Sequence, residues 1–273
     1  MNKHFIEEKI HQAIGILNET DIDVWLTFVR ETSCSSDPIL PLIFGNTDLT
    51  WQSALIITRS GERIAIVGSL EIDTANSVGV FTTTMPYDES ISPPLLETLS
   101  RINPRQIAVN TSTDDIKADG LTHGMYSLLV MYLSEIGFED RLCSASDIIS
   151  ALVGRKTQTE IDRIKSAIQE TDEIFAQTYD YIRVGMSEVD VADFMHNQLE
   201  QKGLMPAWEY DGCPIVNAGP ESPVGHSLPS KHRKIKSGQI LHIDFGVKKH
   251  DYCSDIQRMV YFLAPGEVLP PEP

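Results

Sequence analysis

Apolar residues set the rhythm of the chain before any chemistry is considered. Ile6 to Leu17 recurs at helical spacing. It leads into a continuous apolar run, Val24-Trp25-Leu26-Thr27-Phe28-Val29, of strand length. A second run, Ala54 to Thr58, is joined by the turn Arg59-Ser60-Gly61-Glu62 to a third, Arg63 to Val67, which predicts a β-hairpin. Leu95 to Ile102 predicts a helix, Gln106 to Asn110 a short strand, and Gly124 to Ile136 a buried helix. Strands mixed with helices in this way describe an α/β (α+β) domain.

The texture changes near residue 150, and the domain boundary is expected at about 153, giving segments 1–153 and 154–273. A long helix follows, with Thr159 as its expected N-cap and Ile161, Ile164, Ala167, Ile168, Ile174 and Phe175 on its apolar side. Ser187 is expected to cap a second helix that runs through Glu200 and stops at Lys202-Gly203. From Pro206 onward strands and loops take over. Cys213 to Val216 is a short strand, and a loop then delivers Gly225-His226-Ser227. Ile240 to Val247 and Tyr252 to Leu263 form two strands around Lys248-Lys249-His250-Asp251.

Charge narrows the function classes. The 22 basic and 39 acidic residues leave a net charge of −17. That excess argues against nucleic acid and anionic membranes, which both select for Lys and Arg. No apolar stretch approaches the roughly 20 residues that span a bilayer. The start, MNKHFIEEKIHQAIGIL, has the charge scatter of an amphipathic helix, not the layout of a secretory leader. The four cysteines, Cys34, Cys143, Cys213 and Cys253, form no C-x-x-C pair. A cytoplasmic protein is expected.

The candidate chemistry lies at Asp244 and Asp255. If residues 248–251 close a hairpin, Val247 pairs with Tyr252 and Asp244 pairs with Asp255. Directly opposed residues have Cβ atoms about 4.5–5.5 Å apart, and like charges there destabilise a sheet. The two acids could share a proton. They could instead bind two divalent cations about 3.5–4 Å apart, with a water clamped between the metals as nucleophile. Carboxylates favour Mn, Mg or Ca, with Zn or Co where imidazole joins. The plainer alternative makes Asp255 an edge residue and Asp244 the cap of a strand end, although strand interiors are depleted in Asp. His242 is two residues before Asp244 and shares its face of the strand. His250 lies in the hairpin loop, and His196 is expected to be structural. Trp208 and Tyr210 are candidates for a peptide pocket or for the core.

Asp244-Phe245-Gly246, followed by Tyr252-Cys253-Ser254-Asp255 and Arg258, resembles the motif D-x-G-x-x-x-x-G-Y-x-S-D-x-x-R of the creatinase/aminopeptidase P/prolidase (M24) metallopeptidases. Asp251 stands where that family usually has Gly. Ile215 to Pro220 with Gly225-His226 is similar to the family's I-V-x-x-G loop and its substrate histidine. Lys156, Glu160, Ile164 and Lys165 resemble its K-x-x-E-I-x-x-I-K helix start, with Lys156 one residue further from Glu160 than in that pattern. Asn110 with Ala118 to Leu121 is similar to the N-terminal domain of prolidase-like members.

The resemblance implies a creatinase-like N-terminal domain and the first half of a pita-bread catalytic domain. It implies Asp244 as ligand of one metal, Asp255 as bridge between two, and His226 as support for the tetrahedral intermediate. It implies Xaa-Pro aminopeptidase or prolidase activity with two divalent ions, Mn first and Co or Zn next. A peptide substrate with proline at the second position and a homodimer are also implied. The family's further His and two Glu ligands do not occur after Asp255 in their expected places. The chain is therefore expected to be a truncated product, with an inactive binding or scaffold module and a creatinase-type amidinohydrolase as alternatives.

Overall fold

The computed structural model describes residues 3–223 and 227–271. The chain divides into two compact units, Met1–Thr157 and Gln158–Pro273. The break falls just before the long helix of the second unit, while the expected position near 153 lies in the last turn of the preceding helix.

The first unit runs α1 (Lys3–Thr20), β1 (Val24–Val29), α2 (Leu40–Ile43), β2 (Ser53–Thr58), β3 (Arg63–Gly68), α3 (Ile72–Val78) and β4 (Thr83–Tyr87). It continues with α4 (Ser92–Ile102), β5 (Ile107–Val109), α5 (His123–Ser134), β6 (Leu142–Ser144) and α6 (Ser146–Gly154). Its six strands form one mixed sheet in the order β4-β3-β2-β1-β5-β6. Every residue of β1 and β2 is buried. That is why their sequences are unbroken apolar runs instead of alternating ones. The sequence misses two of these strands. In β4 no residue is buried, so hydrophobic patterning carries no signal there, and β6 has only three residues. Inside the unit a polar knot replaces apolar contact. Trp25 Nε1 donates to Asn110 Oδ1 at 2.7 Å, and Asn110 Nδ2 donates to the buried Asp37 carboxylate at 2.8 Å. Burial raises the pKa of Asp37, partly offset by its bonds from Asn110 and the Ile39 N–H.

The second unit runs α7 (Gln158–Tyr181), α8 (Glu188–Lys202), β7 (Met205–Pro206), β8 (Ile215–Ala218), β9 (Gln239–Phe245), β10 (Val247–Lys249), β11 (Tyr252–Cys253) and β12 (Ile256–Phe262). Thr159 lies inside α7 and is not its N-cap. Ser187 does cap α8, in a reciprocal box with Asp190, and Gly203 ends the helix at φ +64. The strand predicted at Cys213 starts two residues later. One sheet has the order β12-β9-β8 and a second has β11-β10-β7. Leu241, Ile243 and Phe245 of β9 pack with Val216, Phe175, Val191 and Met195 in one apolar cluster. The alternate residues Ile240, His242 and Asp244 point the other way, as period-two side-chain direction requires.

Candidate metal centre

The hairpin that carries the two acids has a different register from the expected one. Lys249 pairs with Tyr252 and Lys248 with Cys253, so the loop is His250-Asp251 alone. Both residues have positive φ, +52 and +66. Two consecutive left-handed residues match the right-handed twist of the flanking strands, and His and Asp tolerate that conformation better than most side chains. A four-residue loop is therefore unnecessary. The pairing moves by two residues, so that Val247 meets Ser254 instead of Tyr252 across the hairpin and pairs with Pro206 of β7 on its other side.

Asp244 is consequently opposite Gln257, not Asp255. Asp255 precedes Gln257 by two residues, so the carboxylates are diagonal neighbours on one face. They still interact. Burial raises the pKa of Asp244 and the charge of Asp255 raises it further, while the neighbouring His242 and, less, the bond from Gln257 offset part of the effect. Asp244 Oδ2 accepts from Gln257 Nε2 at 3.1 Å. Asp244 Oδ1 is buried and has no hydrogen-bond donor among the described residues.

Gly246 lets the strand pass between β7 and the Ser254 backbone. A Cβ there would stand 2.1 Å from the Ser254 carbonyl oxygen and 2.7 Å from Ala207 Cβ. Ser254 is buried; its N–H donates to Val247 O at 3.0 Å, and its Oγ accepts from Val247 N at 2.9 Å. These contacts fix the backbone on which Asp255 stands. Tyr252 donates its hydroxyl to the buried Glu160 carboxylate at 2.8 Å, tying the hairpin to the first turn of α7.

A cavity of about 980 Å³ opens over the outward face, lined by Ile215, Asn217, Ile240, His242, Asp244 and Met259, among others. His242 does share the face of Asp244. Its ring is held at 3.3 Å from Asn217 Oδ1 and 3.1 Å from Gln257 Oε1. His196 is structural: its Nε2 lies 2.8 Å from the Cys213 carbonyl and 3.1 Å from that of Tyr210. Trp208 packs against the apolar cluster and donates to Gly212 O, while Tyr210 stacks on His196. Neither lines the cavity. His250 is exposed at the hairpin tip. His226 lies outside the described residues.

Two contributors were missed in the sequence. Gln257 was hidden by the wrong register, although its two-residue spacing from Asp255 placed it on the same face. Glu188, fully buried, accepts from Ala218 N and Ser230 N at 2.9 Å, from Arg233 Nε at 2.7 Å and from Ser222 Oγ. It thus ties Ala218 and Ser222 to Ser230 and Arg233. A Glu at a helix start reads as a dipole partner, so nothing local announces this role.

The donor set fits a cation in part. A buried carboxylate oxygen without a donor, beside a second carboxylate, is a place where positive charge removes a penalty. Among the described residues no group of three or more His, Cys, Asp or Glu comes together as a metal cage.

The model of metallopeptidase family M24 matches residues 162–269, nearly the whole second unit. A Mycoplasma pneumoniae protein, provisionally named as an Xaa-Pro aminopeptidase, is 32% identical over 123 residues, which are 44% of this chain and 34% of that protein. The uncharacterized peptidase YqhT of Bacillus subtilis is 25% identical over 171 residues, 59% of this chain and 46% of its own length. The chain thus spans between a third and a half of these relatives. Among solved structures, an Xaa-Pro dipeptidase from Bacillus anthracis superposes with a TM-score of 0.65 at 22% identity, over 96% of this chain and 66% of that one. The prolidase of Pyrococcus horikoshii gives a TM-score of 0.59 at 20% identity, over 95% and 66%. The chain therefore shares the α/β fold of these solved structures over the part it covers.

Proposed function

We propose that this chain contributes Asp244 and Asp255 to a divalent-metal centre that hydrolyses peptide bonds next to proline. The observation that carries this reading is the carboxylate pair on one outward face, with a buried Asp244 oxygen lacking a donor, inside an M24 segment. The relatives named as Xaa-Pro peptidases support the substrate class. Asp244 and Asp255 would be the residues of this chain that hold the metal. Such ions supply Lewis acidity and lower the pKa of a water. Manganese suits carboxylate ligands, with Co or Zn next. His226 is assigned to support the developing oxyanion. The cavity would seat the peptide against Ile240 and Met259. A homodimer and a cytoplasmic location belong to the same reading, and the four free thiols suit a reducing compartment.

The test is release of the N-terminal residue from Xaa-Pro dipeptides and longer peptides with Mn²⁺ added. Metal-dependent cleavage that vanishes in Asp244→Asn and Asp255→Asn is expected. Cleavage indifferent to both substitutions would refute the reading. A second reading rests on the pair being a partial ligand set among the described residues. It makes the chain a binding module of M24 descent, and Mn²⁺ binding without turnover would favour it.

A further inference from the structure

The outward face of β8, β9 and β12 carries a continuous row of hydrogen bonds. Ser227 Oγ is 3.2 Å from Asn217 Nδ2, Asn217 Oδ1 is 3.3 Å from His242 Nδ1, and His242 Nε2 is 3.1 Å from Gln257 Oε1. Gln257 Nε2 then reaches Asp244 Oδ2 at 3.1 Å. The sheet register builds this row, because Asn217 is opposite His242 and Gln257 is opposite Asp244.

The chemistry gives the row a direction. An ionised carboxylate only accepts, so the Gln257 group facing Asp244 must be the NH₂. Its carbonyl oxygen then faces His242, and His242 Nε2 must carry a hydrogen. Asp244 thus orients Gln257, and Gln257 orients His242 through Nε2; the approach of Asn217 Oδ1 to Nδ1 is a hydrogen bond only where that nitrogen also carries a hydrogen. The far end, Asp244 Oδ2, is held by a donor while Oδ1 is left without one.

We infer that Gln257 and His242 are positioning residues for the metal centre: Gln257 fixes the Asp244 carboxylate with Oδ1 presented to a cation, and His242 fixes Gln257. This rests on the assignment of Asp244 as a metal ligand. The bond from Gln257 occupies Asp244 Oδ2 and leaves Oδ1 for a cation. Partners of this kind, one step behind a ligand, typically change metal affinity about 10- to 100-fold when removed. Gln257 is exposed and His242 half-buried, so replacing them leaves the apolar cluster intact.

The experiment is calorimetric titration of Mn²⁺ into the full chain, into Gln257→Leu, into His242→Leu and into the double variant, with thermal melts to verify folding. Gln257→Leu is expected to weaken binding at least about 10-fold. His242→Leu is expected to weaken it less, and to add nothing in the Gln257→Leu background, since it acts through Gln257. Gln257→Asn, which keeps the amide on a shorter stem, should weaken binding less than Gln257→Leu. Unchanged affinity in both single variants overturns the positioning role while leaving the metal site standing. Additive losses overturn the ordered row. No binding to the unsubstituted chain sinks the metal site and this inference together.

Discussion

The two main sheets of this molecule treat their faces in opposite ways. In the first unit, β1 and β2 are buried at every position. In the second, β9 alternates between buried and half-exposed, and Met259 of β12 is 71% exposed. The first pattern spends both faces on packing, so its residues answer to stability. The second reserves one face, and the polar groups there are not needed to hold the strands together. The lesson is where to look for chemistry: Asp244, His242 and Gln257 share the face that the core does not use.

Substitutions can break this contrast. Phe28, on β1, is 2% exposed within the first unit's apolar cluster, so Phe28→Ala should cost about 3–5 kcal/mol in denaturant unfolding. In the second unit, Gly246→Ala forces a methyl into the Ser254 backbone and Ala207, and should cost about 1–3 kcal/mol. It should also disturb Mn²⁺ binding, because the strand that moves carries Asp244. If Gly246→Ala melts like the unsubstituted chain, the close approach is not as described.

A pH-dependent difference is expected at Asp37. Burial raises its pKa above the usual 3.8, so the folded chain holds this proton more tightly than the unfolded chain. The resulting stabilisation is complete below about 3.8 and is lost as pH rises through the folded-state value. Asp37→Asn cannot titrate. Melting temperatures measured across the acid range should therefore fall less steeply with rising pH in the variant than in the unsubstituted chain. Parallel curves would contradict the raised pKa. The smallest effect belongs to the outward face, where Met259→Ala should change stability by no more than about 0.5 kcal/mol. A larger loss would mean that this face is packed after all.

Much of this arrangement was readable from the residues, for identifiable reasons. The unbroken runs of β1 and β2 and the capping residue Ser187 report directly on burial and on helix ends. The shared face of His242 and Asp244 follows from period two alone. The hairpin register did not, because it depends on His250 and Asp251 both taking left-handed conformations, which neither residue type announces as Gly or Asn would. That choice displaced Asp255 from opposite Asp244 to diagonal and concealed Gln257. The two remained on one face because a shift of two residues preserves side-chain parity. Glu188 was invisible for another reason: its partners, from Ala218 to Arg233, are 30 or more residues away and meet it only in the folded unit.

The most direct test of the central claim is residue-resolved NMR of the chain during addition of Mn²⁺ at low stoichiometry, since the ion broadens signals close to it. The account predicts that Ile243, Asp244, Asp255 and the Gln257 side-chain amide fade first, and that Asp244→Asn/Asp255→Asn abolishes this local loss. Broadening that begins elsewhere on this acidic surface, or that survives in the double variant, would contradict it.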